Sequence, residues 1–229
     1  RGMPIWAAVA VAVVVGPIVG LANGLLITKL RINPLITTLG TLSIVRGLAF
    51  VLTGGLTGAV RDPSFAFLGR GTIVGIPVPI IILALVFLAA LFTLHYTPFG
   101  RAIYAVGGNA EASRLAGIDV DRLRVVVYVL SGLAAAVSGA ILASMLGAGA
   151  PQAATGIELT VIAAVILGGT SLAGGRGRVA GTLLGIIIMG TLNNGMAQLG
   201  LSSYWQEVAR GGVLLLAVGL DQLRGEDSA

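Results

Sequence analysis

The chain has no cysteine, a single histidine and few aromatic residues, 5% of 229 positions. Without cysteine there can be no disulfide, no thiolate metal site and no cysteine nucleophile. His95 stands without a second ligand-like partner, whereas metal and catalytic centres need a cluster of such groups. It lies beside Tyr96 at the end of an apolar stretch, where interfacial side chains sit. No metal site or catalytic constellation is therefore expected. Charge is scarce as well: 10% of residues are charged, against about a quarter in soluble domains. "GGTSLAGGRGR" (Gly168–Arg178) is rich in glycine but lacks the Gly-Lys-Ser/Thr ending whose lysine reaches phosphates. It is expected to be a tight turn between two spans rather than a nucleotide site.

What the chain has in quantity is apolar length. It is 56% hydrophobic, with a mean hydropathy of +1.01. Ile5–Ile27, Pro77–His95, Val125–Ile157 and Val179–Gln206 each run without charge past the length of about 18 residues that marks a transmembrane helix. One such run could be a soluble core; four make a polytopic membrane protein, and the fold class expected is an all-α transmembrane helix bundle. Seven spans are expected, near residues 5–27, 33–53, 77–95, 125–147, 158–172, 179–200 and 205–221. Arg46 interrupts the second, and the fifth is short enough to be a half-span. Asn33-Pro34 reads as a break or a helix start.

The net charge of +5 then reflects arginines at span ends, not nucleic-acid binding. If alternation places residues 96–124 in the cytoplasm, nine basic residues share that side: Lys29, Arg31, Arg101, Arg114, Arg122, Arg124, Arg176, Arg178 and Arg224. Arg1, Arg61 and Arg70, three, lie opposite, a bias that agrees with the positive-inside rule. The start of the chain is then external and its C-terminus cytoplasmic. Gly177, Gly181 and Gly185, and on another span Gly132, Ala136, Gly139 and Ala143, form small-residue faces that allow close helix packing in lipid.

Against this background "YAVGGNAEASRLAGIDVDRLR" (Tyr104–Arg124) gathers Glu111, Arg114, Asp119, Asp121, Arg122 and Arg124. Residues 107–118 read as one short capped helix. Asn109 is an N-cap residue, Glu111 suits the positive end of the helix dipole, Arg114 suits the other end, and Gly117 is placed to turn the chain away. Such a helix is marginal alone in water, so an outside contact must hold it. An ordinary topological loop would need neither cap nor flanking glycines, so we read the stretch as a cytoplasmic helix presented to a soluble partner. Asp119, Asp121, Arg122 and Arg124 mark the membrane surface before the next span.

"TPFGRAIYAVGGNAEASRLAGIDVDRLR" (Thr97–Arg124) resembles the cytoplasmic coupling loop of permease subunits of bacterial ATP-binding-cassette (ABC) importers. "RINPLITTLGTLSIVRGLAFVLTGG" (Arg31–Gly55), "ELTVIAAVILGGTSLAGGRG" (Glu158–Gly177) and the order of segments resemble the ribose-type monosaccharide permeases. The coupling loop is shared with branched-chain amino-acid permeases, which are the alternative. The family is longer, so the first few spans are expected to be missing here, in keeping with the opening Arg-Gly-Met-Pro-Ile-Trp. Ile157 stands where the family often has an aromatic residue.

The resemblance implies one transmembrane permease domain over residues 1–229, incomplete at its N-terminus, with a coupling loop at 96–124. Gly100, Arg101, Gly108, Asn109, Glu111, Ala112, Arg114 and Gly117 would engage the ATPase. Implied partners are ABC ATPase subunits, a periplasmic or lipoprotein sugar-binding protein, a second permease subunit as homodimer or heterodimer, and the bilayer of the bacterial cytoplasmic membrane. The chain itself would bind no cofactor, ATP and magnesium belonging to the ATPase, and it would not be an enzyme.

Neutral polar residues within spans suit a hydroxyl-rich cargo. Asn23, Thr38, Asn193 and Asn194 are the candidates for the substrate path, with Thr37, Thr41 and Gln198 beside them; any one could equally be glue between helices. Arg46 is expected to point inward or be paired, and Glu207 with Arg210 to form an ion pair along one helix. An ion-coupled transporter or channel would usually place carboxylates at mid-membrane, whereas the acids here lie in loops or near span ends. An intramembrane enzyme lacks any nucleophile–base set.

Overall fold

The computed structural model describes residues 4–226, without the side chains of residues 220 and 223–226. Arg1 and the Arg224 side chain, both used in the topological reading, lie outside the described residues. The helices are α1 (Ile5–Lys29), α2 (Pro34–Thr53), α3 (Pro63–Arg70), α4 (Val78–Tyr96), α5 (Pro98–Gly108), α6 (Ala110–Leu115), α7 (Val120–Leu146), α8 (Ile157–Leu167), α9 (Val179–Gln198) and α10 (Ser203–Glu226). Strands are confined to two-residue pieces: β1 (Gly58–Ala59) pairs antiparallel with β4 (Ala148–Gly149), and β2 (Thr72–Ile73) with β3 (Ile76–Pro77).

Each of the seven expected apolar segments is helical, but the count of seven spans is not met. Among the described residues five helices are long and apolar enough to cross a membrane: α1, α2, α4, α7 and α9. α8 has 11 residues, which at about 1.5 Å per residue falls well short of a hydrocarbon core of about 30 Å. α10 is long, yet Gln206, Glu207, Arg210 and Asp221 dilute it. Arg46 does not break α2, because Asn33 accepts the Leu35 amide at 2.9 Å and Pro34 opens a continuous helix of 20 residues.

The chain forms two compact units, Arg1–Val86 with Asp119–Ala153, and Phe87–Ile118 with Ala154–Ala229. In the first, α1 lies along α7. A side chain at Gly16 would strike the Gly132 carbonyl, one at Gly20 the backbone of Tyr128, and one at Gly24 would stand 2.9 Å from Val125 Cα. Backbones therefore meet directly, the contact that substitutes for a hydrophobic drive between helices in lipid. Of the small-residue face expected on α7, Gly132 and Ala136 meet α1, whereas Gly139 faces open space. α3 docks on the end of α7 through Ser144, which is fully buried, donates to the Phe65 carbonyl and accepts the Gly69 amide at 2.7 Å. Arg70, assigned above only a topological part, donates from Nε to the Met145 carbonyl at 2.8 Å.

In the second unit α8 is clasped by α9 and α10. Gly181 and Gly185 of the expected glycine face press on the backbones of Gly168 and Ala164, and Gly177 packs against Thr170. Ala163, Ala164 and Met189 form a buried core, flanked by Leu192, Val213 and Leu214. Many large apolar side chains, Leu39, Leu85, Leu88 and Ile187 among them, are exposed, as surfaces solvated by lipid are. Among the described residues Glu207 and Arg210 form no ion pair, contrary to expectation: Arg210 Nε donates instead to the Gln206 carbonyl, one helical turn back, at 3.3 Å.

Candidate coupling and translocation sites

The charged stretch expected to be a loop with one short helix is helical from Pro98 onward. Thr97 caps α5, accepting the Gly100 amide at 3.2 Å while donating to the Thr93 carbonyl at 2.6 Å, and Pro98 occupies the first helical turn. Thr97-Pro98 is a start signal that the reading of residues 96–106 as a loop passed over. Asn109 then ends α5 and starts α6, its Oδ1 accepting the Ala112 amide at 2.9 Å. At the other end the Gly117 amide bonds the Arg114 carbonyl and the Ile118 amide the Ser113 carbonyl, both at 3.0 Å. Gly117 has φ +87°, the left-handed closure expected of it. Asp119 caps α7 through the Arg122 amide at 3.0 Å, so α7 begins at Val120 and takes in residues 120–124.

Within this hairpin of short helices Arg101, Gly108, Asn109, Glu111, Ala112, Arg114 and Gly117 are all exposed, a surface open to a partner. Gly100 is different. It is buried, and a Cβ there would lie 2.5 Å from Leu94 Cα, so it fits α5 against the end of α4. Two neighbours escaped the sequence reading because a tertiary contact leaves no local signal. Tyr104 donates its hydroxyl to the Gly177 carbonyl at 3.1 Å, and Gly107 abuts Gly174 and Gly175 in the turn between α8 and α9.

The polar span residues divide between the units. In the first, Asn23, Thr38, Thr41 and Arg46 line a cleft of about 560 Å³ together with Tyr128 and Ser131. The threonines spend their hydroxyl protons on their own helix: Thr37 on the Asn33 carbonyl, Thr38 on Pro34 and Leu35, Thr41 on Thr37 and Thr38. Their lone pairs remain as acceptors. Arg46 is half-buried and, among the described residues, makes no hydrogen bond or ion pair. In the second unit Asn193 is half-buried and Asn194 and Gln198 are exposed on α9. Asn23 Oδ1 and Asn193 Oδ1 are buried with no donor, the two such atoms among the described residues. Buried polar atoms are seldom left so, and each needs an explanation. No group of three or more potential metal ligands occurs among the described residues.

Residues 1–218 match the protein family described as "branched-chain amino acid transport system / permease component". The chain is 52% identical over 202 residues to the ribose import permease of Bacillus subtilis strain 168, covering 87% of this chain and 63% of that protein. It is 46% identical over 218 residues to the ribose import permease of Escherichia coli K12, covering 93% and 68%. It is 44% identical over 216 residues to an L-arabinose ABC transporter permease of Azospirillum brasilense, covering 94% and 64%. The chain thus spans about two thirds of the length of these curated relatives. No solved structure matches it significantly.

Proposed function

Because this chain belongs to the permease-component family of transport systems, and is a multi-pass membrane protein by its apolar helices, we propose that it is the membrane subunit of an ATP-driven monosaccharide importer. The observation that carries the substrate class is the identity of 42–52% to relatives named for ribose, with arabinose permeases close behind. Branched-chain amino acids are the second reading, favoured by the description of the family as a whole.

In this reading α5 and α6 face the cytoplasm, and α6 rests in a cleft of a partner ATPase that binds ATP and magnesium. A capped helix held by short links transmits displacement, where a slack loop would absorb it. The exposed Glu111 and Arg114 are the charged contacts of that joint. A soluble binding protein delivers sugar on the outer face, and a second permease subunit completes the path. Asn23, Thr38, Asn193 and Asn194 supply neutral donors and acceptors to hydroxyls along it, the two orphaned asparagine oxygens being suited to sugar O–H groups. The positive-inside bias supports a cytoplasmic C-terminus in the inner membrane.

The test is uptake into proteoliposomes holding the full-length protein with its partner ATPase and binding protein. ATP-dependent uptake of labelled ribose, with labelled leucine excluded, supports the proposal. Leucine uptake in place of ribose would replace it with the second reading.

A further inference from the structure

We infer that the glycine-rich turn between α8 and α9 is the relay through which displacement of α5 and α6 reaches the rest of their unit, with Tyr104, Gly107 and Asp221 as its positioning residues. The inference rests on the coupling role proposed above for α6 and adds the route by which motion leaves it.

Three contacts brace the turn. First, α5 meets it backbone to backbone. A Cβ on Gly107 would stand 2.5 Å from Gly175 N, and one on Gly175 would stand 2.7 Å from Gly108 Cα. Gly174 and Gly175 have φ of +94° and +72°, conformations side chains rarely adopt, so the turn can present bare backbone there. Second, Tyr104, one helical turn before Gly107 and so on the same face, donates its hydroxyl to Gly177 O at 3.1 Å. Third, the opposite side is held from α10: the Asp221 carboxylate accepts the Ser171 hydroxyl at 3.2 Å and the Leu172 amide at 3.1 Å. The turn is also closed on itself, the Ser171 amide bonding the Arg176 carbonyl at 3.0 Å.

Such a joint has little slack. No flexible side chain lies between Gly107 and Gly175 to take up a shift by changing rotamer, and packed contacts switch between arrangements rather than deform continuously. The compact unit holding α5 and α6 ends at Ile118 and resumes at Ala154, so these helices group with α8–α10, while α7, their successor in the chain, belongs to the other unit. The turn carries the backbone contact and the Tyr104 hydrogen bond by which α5 meets that group.

The experiment uses the full-length permease reconstituted with its ATPase and binding protein, and reads labelled ribose taken up per ATP hydrolysed, alongside co-purified ATPase and hydrolysis without substrate. Tyr104→Phe, which deletes one hydroxyl, should lower the ratio about fivefold, the worth of one hydrogen bond. Gly107→Val, whose side chain has no room against the Gly175 backbone, should lower it tenfold or more, equivalent to about 1.4 kcal/mol or above. Asp221→Leu should do likewise, with Asp221→Asn restoring most of it; in all variants ATPase co-purification and basal hydrolysis should persist. A purely structural role would lower yield and leave the ratio unmoved, which overturns the relay. Should Gly107→Val fail to assemble, Tyr104→Phe decides alone. The double charge reversal Glu111→Lys with Arg114→Glu separates the layers: if it uncouples while Tyr104→Phe and Gly107→Val do not, the relay is wrong and the coupling helix stands. If all stay coupled, the proposed coupling role falls with the relay.

Discussion

Asn109 Oδ1 lies 2.9 Å from the Ala112 amide and so fixes where α6 begins. The same residue terminates α5, whose last carbonyls include that of Ala105, bonded by the Asn109 amide at 3.0 Å. One residue thus stands at the joint of two short helices, its amide closing α5 and its side chain opening α6. Asn109→Ala should cost α6 about 1 kcal/mol of local stability, a typical value for a lost N-cap. Fraying should show as faster amide exchange across residues 110–115 and weaker stimulation of the ATPase by loaded binding protein. Asn109→Asp, which keeps the acceptor, should restore both; unchanged exchange in Asn109→Ala would remove the cap from the account.

Gly185 presses on the Ala164 backbone where α9 crosses α8. Gly185→Val should separate the two helices and destabilise the protein by about 1–3 kcal/mol, the range for overpacking. Thermal unfolding in detergent checks this, with Gly190→Val as the control, because the space at Gly190 is open.

Asp62 starts α3. The Ser64 hydroxyl, at 2.6 Å, holds its carboxyl below the ordinary value of 3.8; desolvation opposes this, and the Ser64 and Phe65 amides add to the lowering. A lowered folded-state value means the contribution is fully present above the ordinary value and is lost as pH falls through the lowered one. Protease susceptibility of residues 54–77 should therefore be flat from pH 7 to about 5 and rise only below pH 4, in line with carboxylate titration. Asp62→Asn keeps the cap geometry without titrating, so the acid-dependent rise should vanish in that variant.

Asn193 carries a buried oxygen with no donor, whereas Asn194 beside it is exposed. If Asn193 serves the substrate path, Asn193→Leu should leave stability equal or higher, since it removes an unsatisfied buried atom, while uptake falls at constant ATPase co-purification. A fall in stability with unaltered uptake per assembled complex would assign the residue to helix packing.

Much of this architecture is legible in the chain because bilayer thickness and backbone satisfaction leave few choices. Uncharged runs became helices, and the Asn109 cap and Gly117 closure of α6 are where their residue types suggest. What escaped is tertiary. The Gly16–Gly20–Gly24 face of α1 is a four-residue repeat as visible as that of α9, but a repeat does not name its partner. Helix α3 hides in a polar connection behind Asp62-Pro63. The full extent of α7 was lost because Asp121, Arg122 and Arg124 look like loop and are its first turns. Tyr104 and Gly107 of α5, next to α6, acquire their meaning only from residues about seventy positions away, Gly175 and Gly177.

The seam between α1 and α7, with Gly16 against Gly132, welds two long rods into a single strut. A strut of that kind makes an internal ruler. Since the chain is free of cysteine, thiol pairs can be installed at will, and probes fixed to either side of this seam should keep one separation through every stage of turnover, giving the stationary frame against which movement of the short helices can be timed.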